Sequence, residues 1–363
     1  MPNYLPIKIM LEVFCFICLA MACSIAQSES STPFGKKGPY KVLMSEVTNQ
    51  GILLLPQSKD ENAGKKQFPG IVFGHGLCGS AKMYSESLVR LCSWGFVVIA
   101  NQQQEDCGVL NMRRPMQSLN AVHKFQYCVN SSVMAANITK NLHYLASRDD
   151  VNPDALVLMG HSMGGGVSID VGVAVNSQQP GFVKAVIGIA PWNGAYPVPS
   201  SVVRKLNAPL LMFCSKSDSF CPCSGRATAV DAAVDSSPFP RMANRFEGRG
   251  MAFLFGSGAD PYWNGGTVAI YEKARTATLV EVLKANHFAI AGTDGKQMEH
   301  LAYQVGNMNG FAFNLAERPY GLVPTLEYSV AYLYDLLEID REEGKAVMSK
   351  IEDDDRIAKV YSK

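Results

Sequence analysis

The sequence predicts an α/β fold: a mostly parallel sheet with helices on both faces. Three observations predict it. Short, continuous apolar runs recur along the chain at 70–73, 96–100, 154–159, 184–190, 209–214 and 279–283. Runs without polar alternation mark strands buried on both faces. Segments long enough for a helix separate them, which is the alternation of a parallel sheet. The residues with chemical potential then fall just after the apolar runs, where the carboxyl ends of such strands gather functional groups.

Each element has its own local warrant. Residues 27–38 are rich in Ser, Gly and Lys and read as a flexible leader. Strand character at 40–47 and 51–55 predicts an opening hairpin, followed by a polar loop over 58–67. Strand 70–73 runs into Gly74-His75-Gly76-Leu77-Cys78-Gly79, and a helix with Leu88, Leu91 and Cys92 on its apolar side follows. After strand 96–100, an irregular stretch over 101–119 leads to a helix reaching about Ser147. Strand 154–159 feeds a tight turn, and 167–175 supplies an apolar helix behind it. Strands 184–190, 209–214 and 279–283 complete the expected sheet, and 322–338 reads as an apolar helix packing back on it. The segment 219–278 is long for one crossover and is either a small cap or an elaborated surface connection. The acidic run Glu352-Asp353-Asp354-Asp355 reads as a solvated C-terminal helix end.

Composition narrows the function. The 363 residues are 47% hydrophobic with a net charge of +1. No basic or acidic block points to nucleic acid or to an electrostatic membrane surface. Residues 1–26 read as a secretory signal: Lys8, an apolar run over 13–22, then Ser24-Ile25-Ala26 as a small-residue cleavage site. The run is short for a membrane span, so the expected location is extracellular, with a plastid or another secretory-route compartment as the alternative. The expected organisation is therefore a signal at 1–26, a leader at 27–38 and one domain over 39–363, with an enlarged 219–278 insertion and a C-terminal helical extension. Cys15, Cys18 and Cys23 would leave with the signal, so seven of the ten cysteines remain. That number predicts disulfides with a leftover thiol, Cys107–Cys128 being the expected pair. Cys221-Pro222-Cys223 lacks the spacing of a zinc site. Asn130 and Asn137 open N-x-[ST] glycosylation acceptors.

The chemistry centres on Gly160-His161-Ser162-Met163-Gly164-Gly165-Gly166. Strand, small-residue turn, serine and helix in direct succession make a G-x-S-x-G nucleophile elbow. A Cβ at Gly160 or Gly164 would crowd so tight a turn, and glycine tolerates the strained backbone expected there. Serine needs a base, and the base needs a carboxylate to fix its tautomer. In this arrangement the chain order is serine, acid, histidine. Of six histidines only His287 and His300 follow Ser162. His287 directly follows a strand, whereas His300 lies in an expected helix over 296–303, so His287 is the expected base. Asp218 follows strand 209–214 and is preferred as acid over Asp231, Asp235 and Asp260. The oxyanion hole calls for two backbone N–H donors, assigned to Met163 and Leu77. His75 and His161 read as residues that shape their loops.

Gly160 to Gly166, the His75-Gly76 loop, Ala190-Pro191-Trp192 and Ser217-Asp218-Ser219 together resemble the bacterial cutinase and PET-hydrolase group. That group belongs to the dienelactone-hydrolase side of the α/β-hydrolase superfamily, with chlorophyllases and platelet-activating-factor acetylhydrolases as relatives. The resemblance implies an α/β-hydrolase fold, with Ser162 as nucleophile, Asp218 as acid and His287 as base. It also implies Leu77 and Met163 as oxyanion donors and Trp192 as a wall of the substrate pocket. Leu77 stands where polyester hydrolases carry an aromatic residue. The expected activity is a secreted serine hydrolase of carboxylic esters that needs no metal or organic cofactor. Its partners would be small-molecule, lipid or polymeric esters. A lipase, a phospholipid- or chlorophyll-type esterase, and a non-catalytic hydrolase-fold binding protein are the alternatives.

Overall fold

A computed structural model describes residues 32–48, 50–57, 66–76, 79–101, 131–193, 198–216, 218, 221, 223, 265–283, 285, 287, 289–291 and 322–363. Nine strands form one sheet: β1 (Lys41–Val47), β2 (Gly51–Gln57), β3 (Phe68–Gly74), β4 (Val97–Ala100), β5 (Val151–His161), β6 (Val183–Ile189), β7 (Leu210–Cys214), β8 (Ala277–Val282) and β9 (Ile357–Ser362). Their spatial order is β1-β2-β4-β3-β5-β6-β7-β8-β9. The six strands from β4 to β8 are parallel, and the β1, β2 and β9 pairings at the edges are antiparallel. This is the predicted α/β-hydrolase architecture.

Burial explains the arrangement. β4 and β7 are buried at every residue, as are Ile71 to Gly74 of β3 and Ala155 to His161 of β5. Water-free strands of this kind need helices on both sides. The described helices are α1 (Ser85–Ser93), α2 (Ser131–Ala146), α3 (Met163–Gln178), α4 (Gly266–Lys273), α5 (Leu322–Leu336) and α6 (Arg341–Met348), with a helical turn at Pro199–Val202. α3 is rich in Gly and Val, which are weak helix formers. Its first eleven residues are nevertheless all buried, so packing rather than propensity holds it. β1 is mostly exposed and runs along the edge, where its Lys41 discourages strand addition.

The chain leaves β3 for β4 on one side and then crosses back to place β5 on the other. The sheet therefore has its switch point between β3 and β5, where α/β sheets open a crevice at their carboxyl ends. His75-Gly76 follows β3 there and Ser162 follows β5.

Four expectations need correction. The 27–38 leader is not flexible where it is described: Phe34 is fully buried, its ring 4.8 Å from those of Trp94 and Tyr334. The C-terminal extension is not purely helical: β9 pairs antiparallel with β8, Val280 facing Val360. Its six residues, Ile-Ala-Lys-Val-Tyr-Ser, are neither a continuous apolar run nor a clean alternation, so they do not announce a strand. The acidic run before it is only in part a solvated helix end: Glu352, Asp353 and Asp355 are exposed, but Asp354 is not. Glu352 and Asp353 lie in a 3₁₀ turn, Ile351–Asp353. Asp354 accepts the Tyr328 hydroxyl at 2.6 Å and pairs with Arg356. Arg356 reaches the fully buried Glu327 on α5 at 3.0 Å, and Thr32 bonds that same carboxylate. Finally, the last part of 219–278 belongs to the ordinary architecture, as crossover helix α4 and the start of β8. Residues 224–264 lie outside the described residues, as do the Cys107–Cys128 pairing, Asn130 and the 1–26 signal.

Candidate active site

The elbow is built by close backbone approach. A Cβ on Gly160 would stand 2.4 Å from the Gly164 carbonyl oxygen, and one on Gly164 would stand 2.2 Å from the Gly74 oxygen. These contacts involve backbone atoms that cannot swing away, so glycine is required at both positions. The strain expected at the glycines falls instead on Ser162, at φ 55° and ψ −121°. A non-glycine residue there costs on the order of 1–3 kcal/mol and persists only when its surroundings fix it. Four backbone bonds do so. Ser162 N–H donates to Ile189 O at 3.0 Å, and Ser162 O accepts from Trp192 N–H at 2.8 Å and Gly166 N–H at 3.1 Å. Gly164 N–H donates to His75 O at 3.1 Å and ties α3 to the loop after β3.

Ser162 is the N-cap of α3 and Met163 its first residue. An N–H at that position has no acceptor inside the helix and is free to meet developing negative charge. A Cβ on Gly76 would stand 3.3 Å from Ser162 Cβ, so the loop after β3 borders the serine directly. Leu77, the other expected donor, lies outside the described residues. His75 turns inward: its Nδ1–H donates to Gly76 O at 2.8 Å, and burial lowers its pKa, which suits a loop-shaping residue.

The expected acid and base meet. His287 Nδ1 lies 2.8 Å from Asp218 Oδ2, and the aspartate is 0% exposed. The second carboxylate oxygen accepts Cys221 N–H at 2.8 Å. A carboxylate accepts only, so His287 carries its proton on Nδ1 and leaves Nε2 as the basic atom. The His287 ring packs 4.5 Å from the ring of His161, the residue before the serine. His161 Nε2–H also donates to the His287 carbonyl at 2.8 Å.

Sequence reasoning did not foresee several participants. Cys221 Sγ lies 3.8 Å from Ser162 Oγ, and burial first, then the Asp218 charge, push its thiol pKa well up. Cys223, two residues on, forms a disulfide with Cys214 at the end of β7. Asp218, the expected acid, thus lies between two cross-linked cysteines that flank it in sequence, a signal present in the sequence itself. Tyr84, from the 3₁₀ turn Ala81–Tyr84 ahead of α1, bonds His161 Nδ1 at 2.8 Å. Trp192 is 8% exposed and meets the elbow through its backbone N–H. Among the described residues no group of three or more His, Cys, Asp or Glu side chains could hold a metal ion, and no helix is long and apolar enough to cross a membrane.

The chlorophyllase family model matches residues 38–220, a span holding the His75-Gly76 loop, the elbow, Trp192 and Asp218. No curated protein matches the chain. The matched span covers just over half of the sequence. It carries the switch-point elbow of an α/β-hydrolase sheet, and the class of chemistry that accompanies the family is hydrolysis of carboxylic esters. The chain belongs to the chlorophyllase family.

Proposed function

We propose that the protein is a serine esterase working through an acyl-enzyme on Ser162. The observation that carries this reading is the buried His287–Asp218 pair beside a strained elbow serine. In the proposed reaction Ser162 Oγ attacks the ester carbonyl carbon while its proton passes to His287 Nε2. The carbonyl electron pair moves onto oxygen, which the Met163 and Leu77 N–H groups receive. Gly76 N–H is committed to Tyr84 Oη at 2.9 Å, so the donor role in that loop falls to Leu77. Collapse of the adduct breaks the ester C–O bond, and the alcohol leaves with the proton from His287. Water, deprotonated by the same nitrogen, then cleaves the acyl-enzyme. Asp218 holds the histidine tautomer and stabilises the imidazolium through a bond that excludes water.

Family membership favours esters with a long apolar alcohol, chlorophyll-type esters among them. The side chains around the hydroxyl support a neutral substrate: Cys221 and Met163 are buried and uncharged. The 1–26 signal features favour a secretory route. The test is turnover of p-nitrophenyl esters of rising chain length, together with release of the free acid from chlorophyll. Ser162→Ala serves as the control. Loss of all turnover in Ser162→Ala supports the mechanism, and unchanged turnover sinks it. Binding of esters with no turnover by the native chain would mean a non-catalytic carrier.

A further inference from the structure

Three loops converge on the elbow, and one continuous hydrogen-bonded chain joins them. Gly76 N–H, after β3, lies 2.9 Å from Tyr84 Oη. Tyr84 Oη lies 2.8 Å from His161 Nδ1, at the end of β5. His161 Nε2 lies 2.8 Å from the His287 carbonyl oxygen, after β8. The two ends fix the outer links, and burial, which keeps His161 neutral, fixes the middle one. An amide N–H can only donate and a carbonyl oxygen can only accept. Tyr84 therefore accepts from Gly76 and donates to His161 Nδ1, and His161 donates from Nε2 to His287. Of the two neutral tautomers of His161, only Nε2–H fits.

From this we propose that Tyr84 and His161 are positioning residues for ester hydrolysis, holding the oxyanion loop and the base-bearing loop in register with the elbow. The inference rests on the reading of Ser162, His287 and Asp218 given above. It differs from a packing role because the chain grips the functional loops by their backbones. His287 is held at both ends, its side chain by Asp218 and its carbonyl by His161. The segment that supplies Tyr84 grips the base loop again just beyond: Ser87 Oγ on α1 donates to Ala291 O at 2.8 Å. The relay is dry, with Tyr84 2% and His161 1% exposed, so no solvent molecule replaces a missing link. Burial, and then the neighbouring His287, lower the pKa of His161, in keeping with its neutral tautomer. Displacement of the base by a fraction of an ångström carries a large kinetic cost, because the reacting atoms must meet within a narrow range.

Three variants separate the links. Tyr84→Phe deletes one oxygen and leaves both Gly76 N–H and His161 Nδ1 unpaired. His161→Gln places an amide nitrogen where Nε2 stood and keeps the bond to the His287 carbonyl. His161→Asn places polar atoms where Nδ1 stood and keeps only the link to Tyr84. The measurement is kcat and KM on a p-nitrophenyl ester, per active site titrated by the p-nitrophenolate burst, so unfolded protein does not enter the rate. We expect Tyr84→Phe to lower kcat about tenfold or more with KM nearly unchanged. We expect His161→Gln to keep several times the kcat of His161→Asn. The far-downfield proton signal of the His287–Asp218 bond should move in Tyr84→Phe. Wild-type kcat per titrated site in Tyr84→Phe, whatever its folded yield, would overturn the inference, and so would equal losses in Gln and Asn. Failure of the underlying reading looks different: the native chain would show no turnover that depends on Ser162.

Discussion

Replacing Asp218 by Asn tests the electrostatics of the site with a change of one atom. Both carboxylate oxygens are in use, one on His287 Nδ1 and one on Cys221 N–H, each at 2.8 Å. An amide offers one acceptor and one donor. If its oxygen stays on Cys221, its NH₂ faces His287, and the imidazole must move its proton to Nε2 and turn a donor toward Ser162. If its oxygen turns to His287, its NH₂ meets the Cys221 N–H, and two donors collide at a site with 0% exposure. The first arrangement avoids the clash and yields a histidine that cannot accept the serine proton. Loss of the tautomer in a triad of this kind lowers kcat by roughly 10⁴-fold, equivalent to about 5.4 kcal/mol of barrier. We expect a loss of about 10³–10⁴-fold in kcat, KM within about twofold, and a folded protein by circular dichroism. The assay is hydrolysis of p-nitrophenyl butyrate at neutral pH against Ser162→Ala background. A loss below about tenfold would refute the assignment of Asp218 and the tautomer argument with it.

Other expectations follow from burial and packing. Asp170 on α3 is buried without a hydrogen-bond partner among the described residues, and burial lifts its carboxyl to about 8. Its unfolded value is about 3.9. The folded chain therefore holds a proton that the unfolded chain releases, and stability is lost as pH rises between those values. From about pH 5 to about pH 7 this group alone costs roughly 3 kcal/mol, a drop that urea melts should find missing in Asp170→Asn; parallel melts would contradict it. Gly164→Ala forces a Cβ to 2.2 Å from the Gly74 oxygen, and it should destabilise by roughly 3 kcal/mol and abolish turnover; near-native melts and rates would contradict the elbow geometry. Removing the Cys214–Cys223 link, whose cysteines are nine residues apart, with the double Ala variant should cost about 2.5 kcal/mol. Because Asp218 lies inside that loop, kcat should fall as well, and unchanged melts and rates would show the link to be dispensable.

The parts of the site readable in the sequence are those whose cause is local. An apolar run, small residues and a serine specify the elbow because the turn itself demands them. Asp218 and His287 were readable from their places after apolar runs and from their order along the chain, although they are 69 residues apart. Tyr84 was not readable: its partners Gly76 and His161 lie 8 and 77 residues away, and only the packing of the turn before α1 over the switch point joins them. Cys221 was hidden for the same reason, since it lies 59 residues from Ser162 and only the fold brings the two together. In the fold, the six inner strands announced themselves through continuous burial. β9 did not, because its apolar residues follow neither strand pattern and its pairing with β8 is set by tertiary context. Where the strain falls was also misread, because two glycines suggested relaxed sterics at their own positions while the positive φ is on the serine between them.

The central claim is that Ser162 forms a covalent bond to the acyl group. The most direct measurement is labelling of the native chain with a fluorophosphonate ester, followed by peptide mass spectrometry and residual-activity assay. The account predicts one adduct per chain on the peptide holding Ser162, with turnover lost in proportion and no adduct in Ser162→Ala. Complete labelling at another residue, or full turnover with Ser162 modified, would contradict it.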